Sequence, residues 1–153
     1  MTTLPPIAAT KPDPERTAGA PGATPGQAGF VFGIPRILLR LEGAAALALA
    51  VAFYGHIGGS WLWFAVGFLL PDLSMLGYLR GPRWGARVYN LAHNYAGPAL
   101  LALCALAMGG DWARLSAAIW IAHIGLDRML GFGLKYGSAF ADTHLGRVGW
   151  KVE

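Results

Sequence analysis

The sequence has little charge for its length. Only 13% of its 153 residues are Asp, Glu, Lys or Arg, compared with about 25% in soluble proteins, whereas 55% are hydrophobic. Such a chain cannot cover a soluble surface with charge, which excludes a large soluble enzyme. The single cysteine, Cys104, lies in an apolar run and has no partner within the chain, so a disulfide scaffold is excluded as well.

Motifs of the common soluble enzyme classes are also absent. The sequence has no GxSxG, HExxH, P-loop or dinucleotide-binding fingerprint. The net charge of +4 does not indicate nucleic-acid binding, because most Lys and Arg residues lie singly or in short groups beside apolar runs, where membrane topology requires them. We therefore expect no nucleic-acid partner.

Four long apolar stretches dominate the chain, and each is close to the roughly 20 residues that a helix needs to cross a bilayer. They cover residues 37–57, 61–79, 88–108 and 115–134. The expected fold is all-α, a four-span transmembrane helical bundle over residues 36–148. Residues 1–35 are expected to be a disordered leader, since six of the ten prolines lie in the first 29 residues, and the chain ends in a short cytoplasmic tail, 149–153.

The basic residues predict the orientation of this bundle. Ten of the twelve Lys and Arg residues lie in the leader, at the start of the first span, in the loop 80–87 or after the fourth span. Positively charged segments stay on the cytoplasmic side of a bacterial membrane. We therefore expect a multi-pass protein of the bacterial inner membrane with both termini in the cytoplasm and the lipid bilayer as its surroundings.

Polar side chains are concentrated at one depth of the predicted bundle. At a helical rise of 1.5 Å per residue, Asp72, His93, His123, Asp127 and Glu42 all fall roughly 7–17 Å into the inner leaflet. The outer halves of the first and third spans contain almost only Ala, Leu and Val. Charged residues inside a membrane are rare and are usually functional, so this cluster is the candidate site.

Asp72, His93, His123 and Asp127 are the candidate metal ligands and catalytic residues. Two imidazoles and two carboxylates form a ligand set that suits zinc, manganese or iron, and His123 and Asp127 share one helix face a turn apart. A divalent metal would activate water for hydrolysis at the lipid boundary. The sequence thus indicates a metal-dependent hydrolase acting on a lipid or lipid-linked substrate.

Three other interpretations remain open at this point. The cluster could be structural, because buried polar side chains often hold membrane helices together, and the protein would then be a non-enzymatic accessory protein with an oligomeric or membrane-protein partner. His93 and His123 could bind haem, although the two carboxylates disfavour it. Proton or ion transport would need an oligomer, because no polar path continues through the outer leaflet.

Further residues form a second set around the four candidates. Arg128 is expected to reach the headgroups or to pair with Glu42. Asp142 and His144 either fold under the bundle toward the site or lie in a solvated tail. The complete second set is Glu42, Tyr89, Asn90, Arg128, Asp142 and His144.

Five short motifs occur in order along the chain: PDLSMLGY, YNLAHNY, AHIGLDR, GLKY and DTHLG. Together they make residues 36–148 resemble the small bacterial integral-membrane family catalogued as domain of unknown function 4260. The resemblance implies a membrane fold and the importance of Asp72, His93, His123, Asp127, Asp142 and His144, but it implies no activity. The Pro71-Asp72 pair in the second span and the His123/Asp127 pair in the fourth resemble, more weakly, those of bacterial membrane-bound metal-dependent hydrolases.

Overall fold

A computed structural model describes residues 29–148 of the chain. Most of the predicted leader and the predicted tail 149–153 lie outside these described residues. Five α-helices, one 3₁₀ helix and a two-stranded hairpin follow one another, in the order α1 Gly33–His56, α2 Trp61–Phe68, the 3₁₀ helix Pro71–Arg80, α3 Pro82–Ala92, α4 Ala96–Met108, α5 Asp111–Leu130, β1 Asp142–Thr143 and β2 Gly146–Arg147. The all-α class is confirmed.

Within residues 29–148, three helical segments are long and apolar enough to cross a membrane. They are Gly33–His56, Trp61–Arg80 and Pro82–Met108. The fourth predicted span corresponds to α5, which has 20 residues but carries charged residues near both ends. α5 is the most buried helix of the bundle, and it packs against α1, α2 and α4. His123 on this helix is therefore buried by protein, whereas Asp111 at its start is exposed.

Two glycines let α1 and α5 approach closely. A Cβ atom added to Gly43 would lie 2.5 Å from the Cβ of Arg128, and one added to Gly125 would lie 2.8 Å from the carbonyl oxygen of Gly43. Small residues at such crossings are typical of membrane helix pairs, because packing rather than hydrophobic burial holds the helices together. The close contact of α1 with α5 thus depends on a glycine on each helix.

The second predicted span is divided into two kinds of helix. α2 ends at Phe68, and a 3₁₀ helix begins at Pro71. Because Pro71 has no N–H to donate, the Gly67 carbonyl accepts a hydrogen bond from Leu70 instead, at 3.1 Å. The predicted span 61–79 therefore lies within one membrane-length segment, Trp61–Arg80, that changes helix type at Pro71, and Asp72 lies at the start of the tighter helix.

The third predicted span, 88–108, is also interrupted. The helix begins earlier, at Pro82, stops at Ala92 and resumes at Ala96. Pro98 cannot donate to the carbonyl of Asn94. The side-chain amide of Asn94 donates to the carbonyls of Asn90 and Leu91, at 2.8 and 2.9 Å, so the break keeps its backbone hydrogen-bonded.

The helix that corresponds to the fourth predicted span, 115–134, is α5, and it both begins and ends earlier, at Asp111 and Leu130. Gly131 caps it with a φ of +95°, which suits glycine, and the Phe132 N–H donates to the Asp127 carbonyl at 2.7 Å. Residues 131–148 then fold back against the bundle, where the Val31 N–H donates to the His144 carbonyl at 2.8 Å. Of the two expectations for this segment, the folded one agrees with the structure.

Candidate metal centre

Three separate helical segments supply the four candidate ligands. Asp72 is the second residue of the 3₁₀ helix, and His93 lies at the break between α3 and α4. His123 and Asp127 are one turn apart on α5, so both side chains point to the same side of that helix. The two helix irregularities therefore lie at the site itself.

The ligand atoms of these side chains lie close together. The Nε2 atoms of His93 and His123 are 3.1 Å apart. Asp72 Oδ1 is 3.6 Å from each of these nitrogens, and Asp127 Oδ2 is 3.6 Å from the first and 3.8 Å from the second. In a tetrahedral zinc site with bonds of about 2.0–2.1 Å, neighbouring ligand atoms are about 3.3 Å apart. Asp72 Oδ1 and the two Nε2 atoms have nearly this spacing, so Asp72, His93 and His123 could hold a metal ion, and Asp127 Oδ2 lies close to both imidazoles.

The orientation of the His93 ring is determined by its hydrogen bonds. Its Nδ1 lies 2.9 Å from the carbonyl oxygen of Tyr89, which can only accept, so Nδ1 carries the proton. The ring also stacks on the Tyr89 ring, with centroids 3.7 Å apart. Neutral His93 therefore directs the lone pair of Nε2 toward the other ligand atoms, as in histidine metal sites.

The His123 ring is held by packing. It lies edge-on to the Phe68 ring, with centroids 5.1 Å apart. Its Nδ1 is buried and has no hydrogen-bond partner among the residues that the structure describes. Only Nε2, on the opposite side of the ring, faces the other three ligand atoms.

The two carboxylates differ in environment. Tyr89 donates its hydroxyl to Asp127 Oδ2 at 3.1 Å, so the same tyrosine orients one imidazole and one carboxylate. The side chain of Asp72 is 40% exposed, compared with 16% for Asp127 and 2–3% for the histidines. The site is therefore open on the side of Asp72 and closed on the side of α5.

Long-range hydrogen bonds stabilise the helix break that carries His93. The indole of Trp120 donates to the Ala92 carbonyl at 2.6 Å, and Arg128 donates to the His93 carbonyl at 3.0 Å. Both donors lie on α5, which also carries two of the ligands. The interpretation that Arg128 pairs with Glu42 is not supported, because no ion pair between them occurs among the described residues, and the exposed Glu42 makes none there.

Asn90 connects the site to the folded segment 131–148. Its side chain donates to the Lys135 carbonyl at 2.9 Å and accepts from the Lys135 N–H at 2.7 Å. Asp142 instead accepts from Ser138, at 2.7 Å, and His144 Nδ1 accepts from the Leu134 N–H, at 2.8 Å. None of these described contacts of Asp142 and His144 involves the four candidate ligands.

Sequence reasoning missed two residues near the site. The hydroxyl of Ser74 lies 3.5 Å from His93 Nδ1. Lys135 is only 6% exposed, and its amine lies 4.9 Å from the centre of the Tyr89 ring and donates to the Phe140 carbonyl at 2.8 Å. Burial lowers the pKa of the Lys135 amine. The lysine of the GLKY motif is visible in the sequence, but its position beside Tyr89 depends on the fold of the segment 131–148.

The described residues thus form a helical bundle with membrane-length helices and a polar cluster of histidines and aspartates inside it. A family model described as Domain of unknown function (DUF4260) matches residues 36–148, and the chain belongs to this family. The resemblance seen in the sequence is confirmed. No curated protein and no solved structure matches the chain.

Proposed function

We propose that the chain binds one divalent metal ion through Asp72, His93, His123 and Asp127. The single observation that carries this proposal is the close, near-tetrahedral spacing of Asp72 Oδ1 and the two imidazole Nε2 atoms, with Asp127 Oδ2 lying 3.6 and 3.8 Å from those nitrogens. Without a cation, only one pair among them, the two Nε2 atoms, lies within hydrogen-bond distance. A metal ion would satisfy both imidazole lone pairs and both carboxylates together. Zinc, manganese and iron all suit this set.

The reaction that we propose for this site is hydrolysis of a lipid or lipid-linked substrate. A divalent ion lowers the pKa of a bound water to about 7 and so supplies a nucleophile at neutral pH. Tyr89 holds Asp127 and His93 in place, while the more exposed Asp72 leaves one side accessible. Asp72 and His93 lie on membrane-length helical segments, so in a membrane a lipid substrate would be within reach of the accessible side.

The proposal includes a position in the bacterial inner membrane with four crossings and both termini in the cytoplasm. The hydrogen bond from Val31 to His144 supports it, because it joins the start of α1 and the end of the described chain at one end of the bundle. An even number of membrane crossings brings both ends of the membrane domain to the same side of the bilayer. α5 would be the fourth crossing, with His123 and Asp127 turned toward the other helices.

The test is elemental analysis of the protein purified in mild detergent. We expect about one metal ion per chain in the wild type and at least a tenfold lower content in His93→Ala and His123→Ala. His56→Ala is the matched control, because His56 is exposed at the far end of α1. Stoichiometric metal that survives both substitutions would place the ion elsewhere.

Hydrolysis needs a separate measurement. Release of fatty acid or headgroup from phospholipid vesicles should require the metal, stop with a chelator and be lost in Asp72→Asn. A metal-loaded protein that hydrolyses none of the lipids offered would leave the binding part of the proposal standing and contradict the reaction.

A non-enzymatic accessory protein is the second candidate, and the hydrogen bonds of Tyr89 favour it. This residue connects α3 to α5 without any metal, as a structural polar cluster would. Absence of metal under every loading condition would support this candidate. Haem is disfavoured, because two Nε2 atoms 3.1 Å apart leave no space for a macrocycle between them. Transport is disfavoured, because α1 has only apolar side chains and glycine between Glu42 and Tyr54, and α4 has no charged residue that could continue a polar path.

A further inference from the structure

A cavity of about 350 Å³ lies beside the candidate metal centre. Its walls are almost entirely apolar and come from α2, α4 and α5, with Gly67, Leu70, Leu101, Ile119 and Trp120 among the lining residues. This volume falls within the range of roughly 300–1,000 Å³ that is usual for small-molecule sites. Nothing in the mechanism proposed above uses this cavity.

One end of the cavity adjoins the metal ligands. Pro71 and Ala92 line it, and each is the residue directly before a ligand, Asp72 or His93. Ser74 also lines it and places its hydroxyl 3.5 Å from His93 Nδ1. A molecule in the cavity would therefore have one end next to the two ligands that do not belong to α5.

From the ligand end, the cavity extends along the helices away from the segment 131–148. Gly67 precedes Asp72, Leu101 follows His93 and Ser116 precedes His123, so all three lie away from the end of the bundle that the segment 131–148 covers. Seven residues separate Ser116 from His123, which corresponds to about 10 Å along α5. In a bundle that crosses the membrane, this direction leads from one surface toward the bilayer centre.

A second apolar cavity lies elsewhere in the bundle and does not adjoin the metal ligands. It has a volume of about 400 Å³ and is lined by Ala46, Leu49, Phe53, Ala102 and Leu106, among other residues. None of its lining residues is a ligand or a direct neighbour of one in the sequence. Bilayer lipid can fill either cavity, but only the first also joins an apolar space to the polar centre.

We propose that the cavity lined by Gly67, Leu101 and Trp120 holds the hydrocarbon chain of a lipid substrate whose polar group lies at the metal centre. This inference rests on the proposed function and narrows its substrate class to molecules that carry a long alkyl chain. An alkyl chain that moves from the bilayer into the cavity keeps apolar surroundings, and it has no polar group that the walls would leave unsatisfied. The polar group stays at the end that carries Asp72 and Ser74.

The test uses a palmitic acid analogue with a diazirine in its chain, added to the full-length protein in phospholipid nanodiscs. After irradiation, mass spectrometry locates the labelled residues. We expect labels on Leu101, Ile119 or Trp120. Leu101→Trp should fill the cavity and lower the labelling of Ile119 and Trp120 at least fivefold. Leu103→Trp is the matched control on the same helix, because Leu103 is 64% exposed and does not line the cavity.

Metal content is measured on the same samples, so the two proposals can fail separately. Labelled cavity residues without any metal would overturn the proposed function but leave the chain site standing. Bound metal with labels confined to exposed positions such as Leu100 and Leu103, or equal labelling in Leu101→Trp, would overturn the chain site alone. If Leu101→Trp does not fold, Ser116→Phe fills the far end of the same cavity and takes its place.

Discussion

Tyr89 touches His93 twice, because its carbonyl accepts from the imidazole Nδ1 at 2.9 Å while its ring stacks on the imidazole at 3.7 Å. Its hydroxyl reaches Asp127 at 3.1 Å. One residue therefore orients two candidate ligands from different helices. In metal sites of known proteins, such outer partners set the tautomer and basicity of the ligands.

Tyr89→Phe separates the two contributions of this tyrosine. The substitution keeps the ring and the carbonyl but removes the bond to Asp127, so we expect metal affinity to fall by about 10- to 100-fold while the fold is retained. Equilibrium dialysis against the metal found in the wild type measures it. Tyr54→Phe is the control, since Tyr54 is equally buried but donates to the Ser60 carbonyl far from the site. Equal affinities of the two variants would contradict a role for the Tyr89 hydroxyl.

The approach of the candidate ligands to one another could be predicted from the sequence, and the prolines Pro71 and Pro98 indicate that the helices are irregular nearby, but the long-range bonds that hold the break at His93 could not be predicted. Apolar runs and the spacing of His123 and Asp127 depend on helical periodicity, which is a local property. The break at His93 depends on donors from Trp120 and Arg128, which are 28 and 35 residues away from the carbonyls that they bind. Nothing in the local pattern of 88–108 predicts those bonds.

The folded tail illustrates the same limit. Leu145 and Thr143 are fully buried, although a short polar segment after the last span is typical of a solvated tail. Asn90 holds this segment through two hydrogen bonds to Lys135, over a separation of 45 residues. Such partners become visible only once the helices have been packed together.

Topology can be tested with reporter fusions. A reporter that works only in the cytoplasm should be active when attached after Glu153. Alkaline phosphatase, which works only in the periplasm, should be active when inserted at Gly110, because ten basic residues lie in the segments expected on the cytoplasmic side. The reverse pattern would invert the orientation. Activity of the phosphatase at both positions would instead indicate an odd number of crossings and would remove α5 as a membrane span.

Acid should destabilise the folded tail through His144. Burial, and second the positive charge of Arg128, lower the pKa of its imidazole below the ordinary 6.5. Above pH 6.5 the ring is neutral in both the folded and the unfolded chain, and its contribution to stability is complete. Below pH 6.5 the unfolded chain binds a proton that the folded chain does not, so stability falls until the pH passes the lowered folded-state pKa.

The substitution that isolates this effect is His144→Asn, whose side-chain oxygen can still accept from the Leu134 N–H. Between pH 7 and pH 5, the Tm of the variant should fall less than that of the wild type. Taking the difference between the two proteins cancels the titration of the other histidines. Identical losses of Tm would show that His144 does not couple the tail to pH.

Gly43→Ala tests the helix crossing that positions Asp127. The added Cβ would meet the backbone of Met129 at 2.8 Å and of Gly125 at 2.9 Å, and backbone atoms cannot turn away as a side chain can. We expect a loss of about 1–3 kcal/mol, the usual cost of overpacking, measured as a lower Tm in mild detergent.

Gly55→Ala on the same helix is the control, because its Cβ would have only ordinary contact with Trp61, at 3.5 Å, and alanine favours the helix by about 0.5–1 kcal/mol. Because α5 must move away to admit the methyl group, metal affinity should fall in Gly43→Ala and not in Gly55→Ala. Two variants of equal stability and equal affinity would mean that α1 and α5 do not cross at Gly43.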